Sequence, residues 1–338
     1  MAKKKENIIF HYCSVEAFHS IITSKSFWLF SLSSSNDLKE MTEAKKVIYK
    51  ILSEEKYKNI NKPDIHKHEF YSLSCTSKKD NAFHFCKYAD NERGVCLGID
   101  TAIFKKYFNR NLPLDWHDDY LSFEEVIYDD KQGETAIRNN LEQRLLNIEQ
   151  PRKEKNKLRK ALWNEIPEQL KNELKEQIPT DMLFHFEPIL KTINYKDESE
   201  VRLLFNRNQF QLRKEKYKGN FNANNPIIKK FRDAPSRRNF ENAKVNGKGV
   251  EALFAYAYDI LIKSAEKMKF NDLPKFRVVS GVIRKHIELN MEYIWDKQPI
   301  KKVILGPNCK TDIKEINEFL KANKILCEAE KSSIMNRK

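Results

Sequence analysis

Runs in which apolar residues recur at every second position alternate with shorter stretches of helical spacing. Asn7 to Tyr12 reads as an opening strand, and Ser14 can N-cap a helix whose stripe is Val15, Phe18, Ile21 and Ile22. A short strand follows at Phe27 to Phe30. Asn36-Asp37 can cap a second helix carrying Met41, Ala44, Val47, Ile48 and Ile51, after which Glu69 to Thr76 alternates as a strand. Phe83 to Ala89 reads as a short connection. Gly94 to Ile99 and Glu125 to Tyr128 are further strands, separated by a short helix near Ile103 to Phe108.

The strand pattern then stops. Glu134 to about Leu190 is helical and heavily charged, with Pro151, Pro167 and Pro179 as expected breaks that leave three helices. Lys196 to Phe205 returns to a strand. Asn206 to Pro274 begins polar and basic and ends in a helix-like run through Leu253, Tyr256, Ile260, Ile262 and Ala265. Phe276 to Val279, Val282 to Leu289 and Ile300 to Gly306 are strands again; Asp312 to Ala322 is a helix and Lys324 to Glu328 a terminal strand. These changes of period divide the chain into 1–133, a helical segment 134–190, a strand-bearing piece 191–205, a basic insertion 206–274 and a closing part 275–338.

Charge sharpens that division. The 338 residues carry a formal net charge of +14, which predicts an anionic partner. Residues 206–250 hold twelve Lys/Arg against Glu215, Asp233 and Glu241, a local +9. There Lys214, Lys216, Lys218, Lys229, Lys230, Arg232, Arg237 and Arg238 are interleaved with Phe210, Tyr217, Phe221, Phe231 and Phe240. Cations neutralise phosphates and aromatics stack on unpaired bases, so the composition fits single-stranded RNA or DNA; a solvated loop or a dock for an acidic protein has the same make-up. No apolar run reaches a membrane span and no signal peptide is evident, so a cytoplasmic protein with no membrane partner is expected. The six cysteines contain no C-x-x-C pair and read as buried thiols. His66-x-His68 lacks further ligands at metal spacing, so no metal is expected. The absence of GxGxxG and Walker A sequences disfavours Rossmann and P-loop enzymes.

The stretch with most chemistry is Glu198-Ser199-Glu200-Val201-Arg202. In a strand these two carboxylates and the arginine share one face, an acid, acid, cation row. Paired carboxylates beside a cation suit work at an anomeric carbon, and a solvated strand face has the same pattern. His11, at the end of the first strand, can hydrogen-bond a ribose hydroxyl or simply pack, and Tyr12 faces the other side. Ser72, Ser74 and Thr76 form a hydroxyl row. Tyr88-Ala89-Asp90 through Gly94 is a polar turn feeding a strand.

Together, His11-Tyr12-x-Ser14, Asn36-Asp37-x-x-Glu40, Tyr88-Ala89-Asp90 through Gly94-Val95, Glu198-x-Glu200-x-Arg202 and Ile304-Leu305-Gly306-Pro307-Asn308 resemble a bacterial family catalogued as domain of unknown function 2971. The same layout resembles an ADP-ribosyltransferase. That resemblance implies that His11 holds the adenosine ribose and that Ser72 or Ser74 organises the nicotinamide ribose. It also implies that Glu200 holds the reacting ribose and that Glu198 assists the nucleophile, with Tyr12 or Tyr88 stacking on nicotinamide and Arg202 beside the cofactor. The long helical segment and the basic insertion depart from a minimal transferase.

The expected fold is therefore α+β, with a split, mainly antiparallel β core resembling the ADP-ribosyltransferase fold and helical insertions. The expected activity is ADP-ribosyl transfer from NAD⁺ to a macromolecule, nucleic acid among the candidates, in a bacterial toxin or anti-phage effector under the control of an inhibitory or antitoxin protein. NAD⁺ hydrolysis and a catalytically inert nucleic-acid-binding module are the rivals. Convergence of Glu198, Glu200 and His11 in one pocket separates the enzymes from the module.

Overall fold

The computed structural model describes residues 7–34, 42–62, 69–108, 121–128, 130–149, 168–208, 211, 271–279 and 281–334. The helix cap at Asn36-Asp37, the pair His66 and His68, the breaks at Pro151 and Pro167, and all eight cations from Lys214 to Arg238 lie outside them.

The architecture is α+β: an open, mostly antiparallel sheet, ten-stranded among the described residues, with helices packed on it. The strands are β1 (Ile8–Cys13), β2 (Ser26–Ser31), β3 (Phe70–Thr76), β4 (Val95–Asp100), β5 (Leu121–Glu125), β6 (Glu200–Asn206), β7 (Asn271–Val279), β8 (Val282–Asn290), β9 (Ile300–Leu305) and β10 (Ala329–Lys331). The main path runs β10-β9-β4-β1-β3-β2-β8-β7, with β6 also on β3 and β5 on β6. β10 on β9 is the parallel pair. β3 is the junction: β6 pairs with it from Phe70 to Thr76, whereas β1 meets it at Phe10 and β2 at Phe30 and Ser31.

Several boundaries follow local chemistry. Ser14 caps α1 (Val15–Ser24), its hydroxyl accepting from the Ala17 amide. The expected connection at Phe83 to Ala89 is instead a helix, α3 (Ala82–Tyr88), capped by the Asn81 side chain and anchored by fully buried Phe85 and Ala89. The strand expected at Glu125 to Tyr128 lies earlier, as β5, and the terminal strand lies later, as β10. Pro179 does not break its helix, which runs unbroken as α6 (Glu168–Phe186). A mid-helix proline costs about 3 kcal/mol, but Ile178, Met182, Leu183 and Phe186 are all buried around it, and each contributes roughly 1.5–3 kcal/mol.

The two sheet faces are distinct. Ile9, Cys13, Phe27, Leu29, Leu73, Cys75, Val201 and Leu203 belong to one apolar core, covered by α1 and by α8 (Ile313–Ala322). The opposite face carries two smaller cores. Leu204 and Phe70 pack with α2 (Glu43–Leu52), α5 (Asp130–Glu149) and α6, while Phe10, Tyr12 and Cys96 pack with Phe85 of α3 and with Ala89, which caps its C-terminus. Between those two cores lies a polar gap. The turn after α3 is braced against the far end of the sheet: Gly306 donates to Gly94 O at 2.9 Å and Asn308 to Glu92 O at 3.0 Å. A β-carbon on Gly306 would stand 2.2 Å from Glu92 O. Among the described residues all six cysteines are free and no helix is long and apolar enough to cross a membrane.

Candidate functional site

The polar gap is filled by one ion-pair network. Lys196 to Glu198 close a 3₁₀ segment (Ile193–Glu198), and Ser199 takes the left-handed conformation, φ 42° and ψ 48°, before β6 begins at Glu200. The expected continuous strand row is thus interrupted: Glu200 and Arg202 share a strand face, while Glu198 reaches the same place from the 3₁₀ turn. Thr76 Oγ1 donates to the Glu198 carbonyl at 3.0 Å, and His84 Nε2 donates to that oxygen at 2.8 Å.

The two carboxylates are joined by Lys191, whose Nζ lies 2.8 Å from Glu198 Oε2 and 3.3 Å from Glu200 Oε2. Arg202 grips Glu200 with both edges of its fork, Nε to Oε1 at 3.0 Å and Nη2 to Oε2 at 2.9 Å, and its Nη1 donates to Pro188 O at 2.5 Å. Tyr128 holds the Glu200 amide, its hydroxyl oxygen accepting at 2.8 Å. Glu198 Oε1 accepts from Lys87 Nζ at 2.6 Å and from the Tyr88 hydroxyl at 2.5 Å. Glu198, Glu200, Lys191 and Arg202 are all buried.

Burial alone would push both carboxyls up. At Glu200 that effect is overcome by the adjacent Arg202 charge and its hydrogen bonds, with Lys191 and the Ser74 hydroxyl adding to them, so the pKa falls to about 2. At Glu198 the hydrogen bonds from Lys191, Lys87 and Tyr88 outweigh burial and the pKa also falls. Tyr88 moves the other way: burial, then its bond to Glu198, hold its proton on. Both carboxylates are ionised at neutral pH, and these two acids with Lys87, Lys191 and Arg202 sum to one positive charge.

Lys87 is the most exposed of the charged members, at 44%. Its ammonium sits 5.3 Å from the Phe83 ring centre, 5.1 Å from Tyr88 and 5.7 Å from Tyr195. Phe83 and Tyr88 are themselves 42% and 40% exposed. The Glu198 carboxylate is therefore bound to a lysine that also lies within cation–π distance of three aromatic rings, at the more exposed edge of the network.

Of the residues singled out from sequence, Glu198, Glu200, Arg202, Tyr88 and Ser74 meet here. Ser72 lies on the same face, opposite Leu204; it is buried, and its hydroxyl has no hydrogen-bond partner. Tyr12 is on this face too, but its hydroxyl is spent on Lys78 O at 2.9 Å and the Asn81 amide at 3.0 Å. His11 is not. It pairs with Leu97 and packs edge-on to Phe27, both of the opposite core. Its Nδ1 donates to Ser74 O at 2.8 Å, sealing the seam where β1 and β2 part company on β3, and burial lowers its pKa. The carboxylates converge with each other and not with the histidine. Lys87, Lys191, His84, Tyr128 and Tyr195 were not anticipated. A capping Asn81 with an apolar pair at Phe85 and Ala89 was the available signal for α3. Among the described residues no cluster of His, Cys, Asp and Glu could hold a metal.

Residues 85–203 match the model of a family described as Protein of unknown function (DUF2971). The matched stretch runs from α3 into β6 and so contains Lys87, Tyr88, Lys191, Glu198, Glu200 and Arg202. No curated protein and no solved structure matches the chain.

Proposed function

We propose that the chain acts on NAD⁺, on an ADP-ribosyltransferase-like fold, transferring ADP-ribose to a macromolecular acceptor, with Glu198 as the reacting carboxylate. The observation that carries this is that the ionised Glu198 side chain binds Lys87, whose ammonium is itself accommodated by the Phe83, Tyr88 and Tyr195 rings. Nicotinamide in NAD⁺ is a flat cation. Displacing Lys87 outward leaves Glu198, Glu200, Lys191 and Arg202 neutral in sum, and the cationic ring takes the lysine's place. The bond from nicotinamide to the ribose anomeric carbon breaks with its electron pair leaving on nicotinamide. The oxocarbenium is stabilised by Glu198, and the acceptor's nucleophile attacks while its proton passes to the same carboxylate. Glu200, 5% exposed and gripped by Arg202, is a positioning residue that fixes Lys191 and hence Glu198. A cytoplasmic toxin or defence effector is the setting this activity fits.

The test is incubation of the purified protein with NAD⁺, alone and with RNA, DNA or cell lysate, following free nicotinamide and modified products. Glu198→Gln is expected to lower nicotinamide release on the order of 10²–10³-fold with the fold intact. Wild-type turnover in the folded variant sinks the assignment. A second reading, a catalytically inert nucleic-acid-binding module, is favoured by one observation: His11 faces the opposite core, away from both carboxylates. Absence of both NAD⁺ binding and nicotinamide release in the wild type decides for it.

A further inference from the structure

The apolar face of β8 runs out past the core it belongs to. Leu289 and Ile287 are buried members of the main core, but Ile283, on the same strand face, is 70% exposed. β7 continues that face, because Val278 pairs with Ile283 and Phe276 with Lys285, and antiparallel partners share a face. Phe276 is 68% and Val278 64% exposed. Among the described residues β7 pairs with β8 alone, so its outer edge carries no strand. Natural edges are blunted by proline, by irregular register and by charge. Pro274 and the register shift between Asn271 and Lys275 do this for the first half of β7, whereas Lys275 to Val279 is regularly paired and keeps both bare apolar side chains.

The other face of the same stretch is positive. Glu288 engages Lys275 at 2.6 Å and Glu69 engages Lys285 at 2.7 Å, but among the described residues no carboxylate pairs with Arg277, whose guanidinium carbon lies 3.6 Å from the centre of the Trp28 ring. We propose that the Lys275–Val279 edge is a docking site for an extended segment of an acidic protein partner, which adds to the sheet as a further strand. Period two fixes its pattern: apolar side chains beside Phe276 and Val278 on one face, and an acid beside Arg277 on the other. A second copy of this chain fits less well, since antiparallel pairing of two such edges over their whole length, apolar faces on one side, sets Arg277 against Arg277. A nucleic-acid strand fits less well too, because Val278 and Ile283 offer no ring on which a base could stack. The edge is separate from Glu198 and does not depend on NAD⁺ chemistry.

The test uses the full chain and a fluorescein-labelled peptide in which valine and glutamate alternate, followed by anisotropy. Its comparators are a peptide of the same composition with the valines and glutamates in separate blocks, a peptide alternating valine and lysine, and single-stranded oligothymidylate. The alternating acidic peptide is expected to bind, to slow hydrogen exchange at the amides of 275–279, and to lose about tenfold or more in affinity in both Phe276→Ser and Arg277→Glu. Phe276 is mostly exposed, so its truncation should leave the fold intact; if Arg277→Glu does not fold, as judged by circular dichroism, Val278→Asp takes its place. Failure of the acidic peptide to bind, equal binding of the block or basic peptide, or unchanged affinity in either folded variant overturns the proposal. Two other results also overturn it by naming a different occupant: displacement of the peptide by oligothymidylate, which points to nucleic acid, and self-association of the wild type in sedimentation that Phe276→Ser abolishes, which points to a second copy.

Discussion

Replacing Arg202 by methionine tests the network's central pair. Arg202 is 1% exposed and supplies both hydrogen bonds of the Glu200 fork as well as one to Pro188 O. Methionine fills much of the volume but leaves a buried carboxylate with Lys191, at 3.3 Å, as its remaining cation. Breaking a buried pair by removing one partner costs about 3–5 kcal/mol. The titration of Glu200 gives an independent figure. A fall from the ordinary carboxyl value near 4.5 to about 2 corresponds to about 3 kcal/mol of folding stability. Because the folded value is depressed, that stability is fully present above pH 4.5 and is lost as the pH drops from there toward 2. In Arg202→Met the carboxyl protonates at higher pH, so the variant has less to lose in acid. Urea unfolding followed by far-ultraviolet circular dichroism should show a gap of about 3–5 kcal/mol between wild type and variant near neutrality, narrowing steadily below pH 4.5. A gap below about 1 kcal/mol near neutrality, the value of an exposed pair, or a gap that does not change with acid, refutes the reasoning.

Two further outcomes are expected. Gly306→Ala should destabilise the fold by about 2 kcal/mol or more, since its new β-carbon meets backbone oxygens of Glu92 at 2.2 Å and Gly94 at 3.0 Å that cannot swing aside; unfolding unchanged from wild type would contradict the brace between the turn after α3 and β9. Among the thiols, Cys86 is exposed, Cys13, Cys75, Cys96 and Cys309 are buried, and burial pushes Cys96 up to about 12 and Cys327 up to about 11. A disulfide reagent should therefore label one thiol fast in the native protein, lost in Cys86→Ser, and several fast thiols would show the core to be open.

Much of the sheet was legible from local pattern. β1, β2, β3, β4, β8 and β9 sit within a residue or two of the predicted runs: each packs one face on the main core, and β3 and β4, buried on both faces, show as near-continuous apolar or small-residue runs instead of strict alternation. The capped helices α1 and α8 were legible for the same reason, with Ser14 and Asp312 accepting from amides two or three residues on. α3 was not, because His84 and Lys87 interrupt its apolar stripe to serve Glu198, 114 and 111 residues away. Lys191 left no trace either. A lysine on a charged segment looks solvated unless one knows that two carboxylates converge on it, and that convergence is made by tertiary structure.

A misreading with consequences for the roles of the two acids concerns Ser199. Period two places Glu198 and Glu200 side by side on a strand; instead the left-handed Ser199 lets Glu198 enter from the 3₁₀ turn, so that one lysine bridges both acids while Glu198 alone reaches Lys87 and Tyr88. A non-glycine residue in that conformation costs about 1–2 kcal/mol, offset here by the Ser199 carbonyl, which accepts from Thr76 Oγ1 at 3.1 Å, and by the bonds on Glu198. If that turn is what separates the roles of the two acids, the backbone at 199 controls the site without touching ligand. Ser199→Gly relieves the strain but frees the unfolded chain by roughly 0.5–1 kcal/mol, so its stability should stay close to wild type with nicotinamide release retained. Ser199→Val puts a β-branched side chain at positive φ and should both destabilise the fold by about 1–3 kcal/mol and lower nicotinamide release, because Glu198 is drawn away from Lys87 and Tyr88. Hydrogen exchange should locate the loosening at the 3₁₀ segment, with β6 still protected. A valine variant as stable and as protected there as wild type would mean that Ser199 is not the hinge of this site.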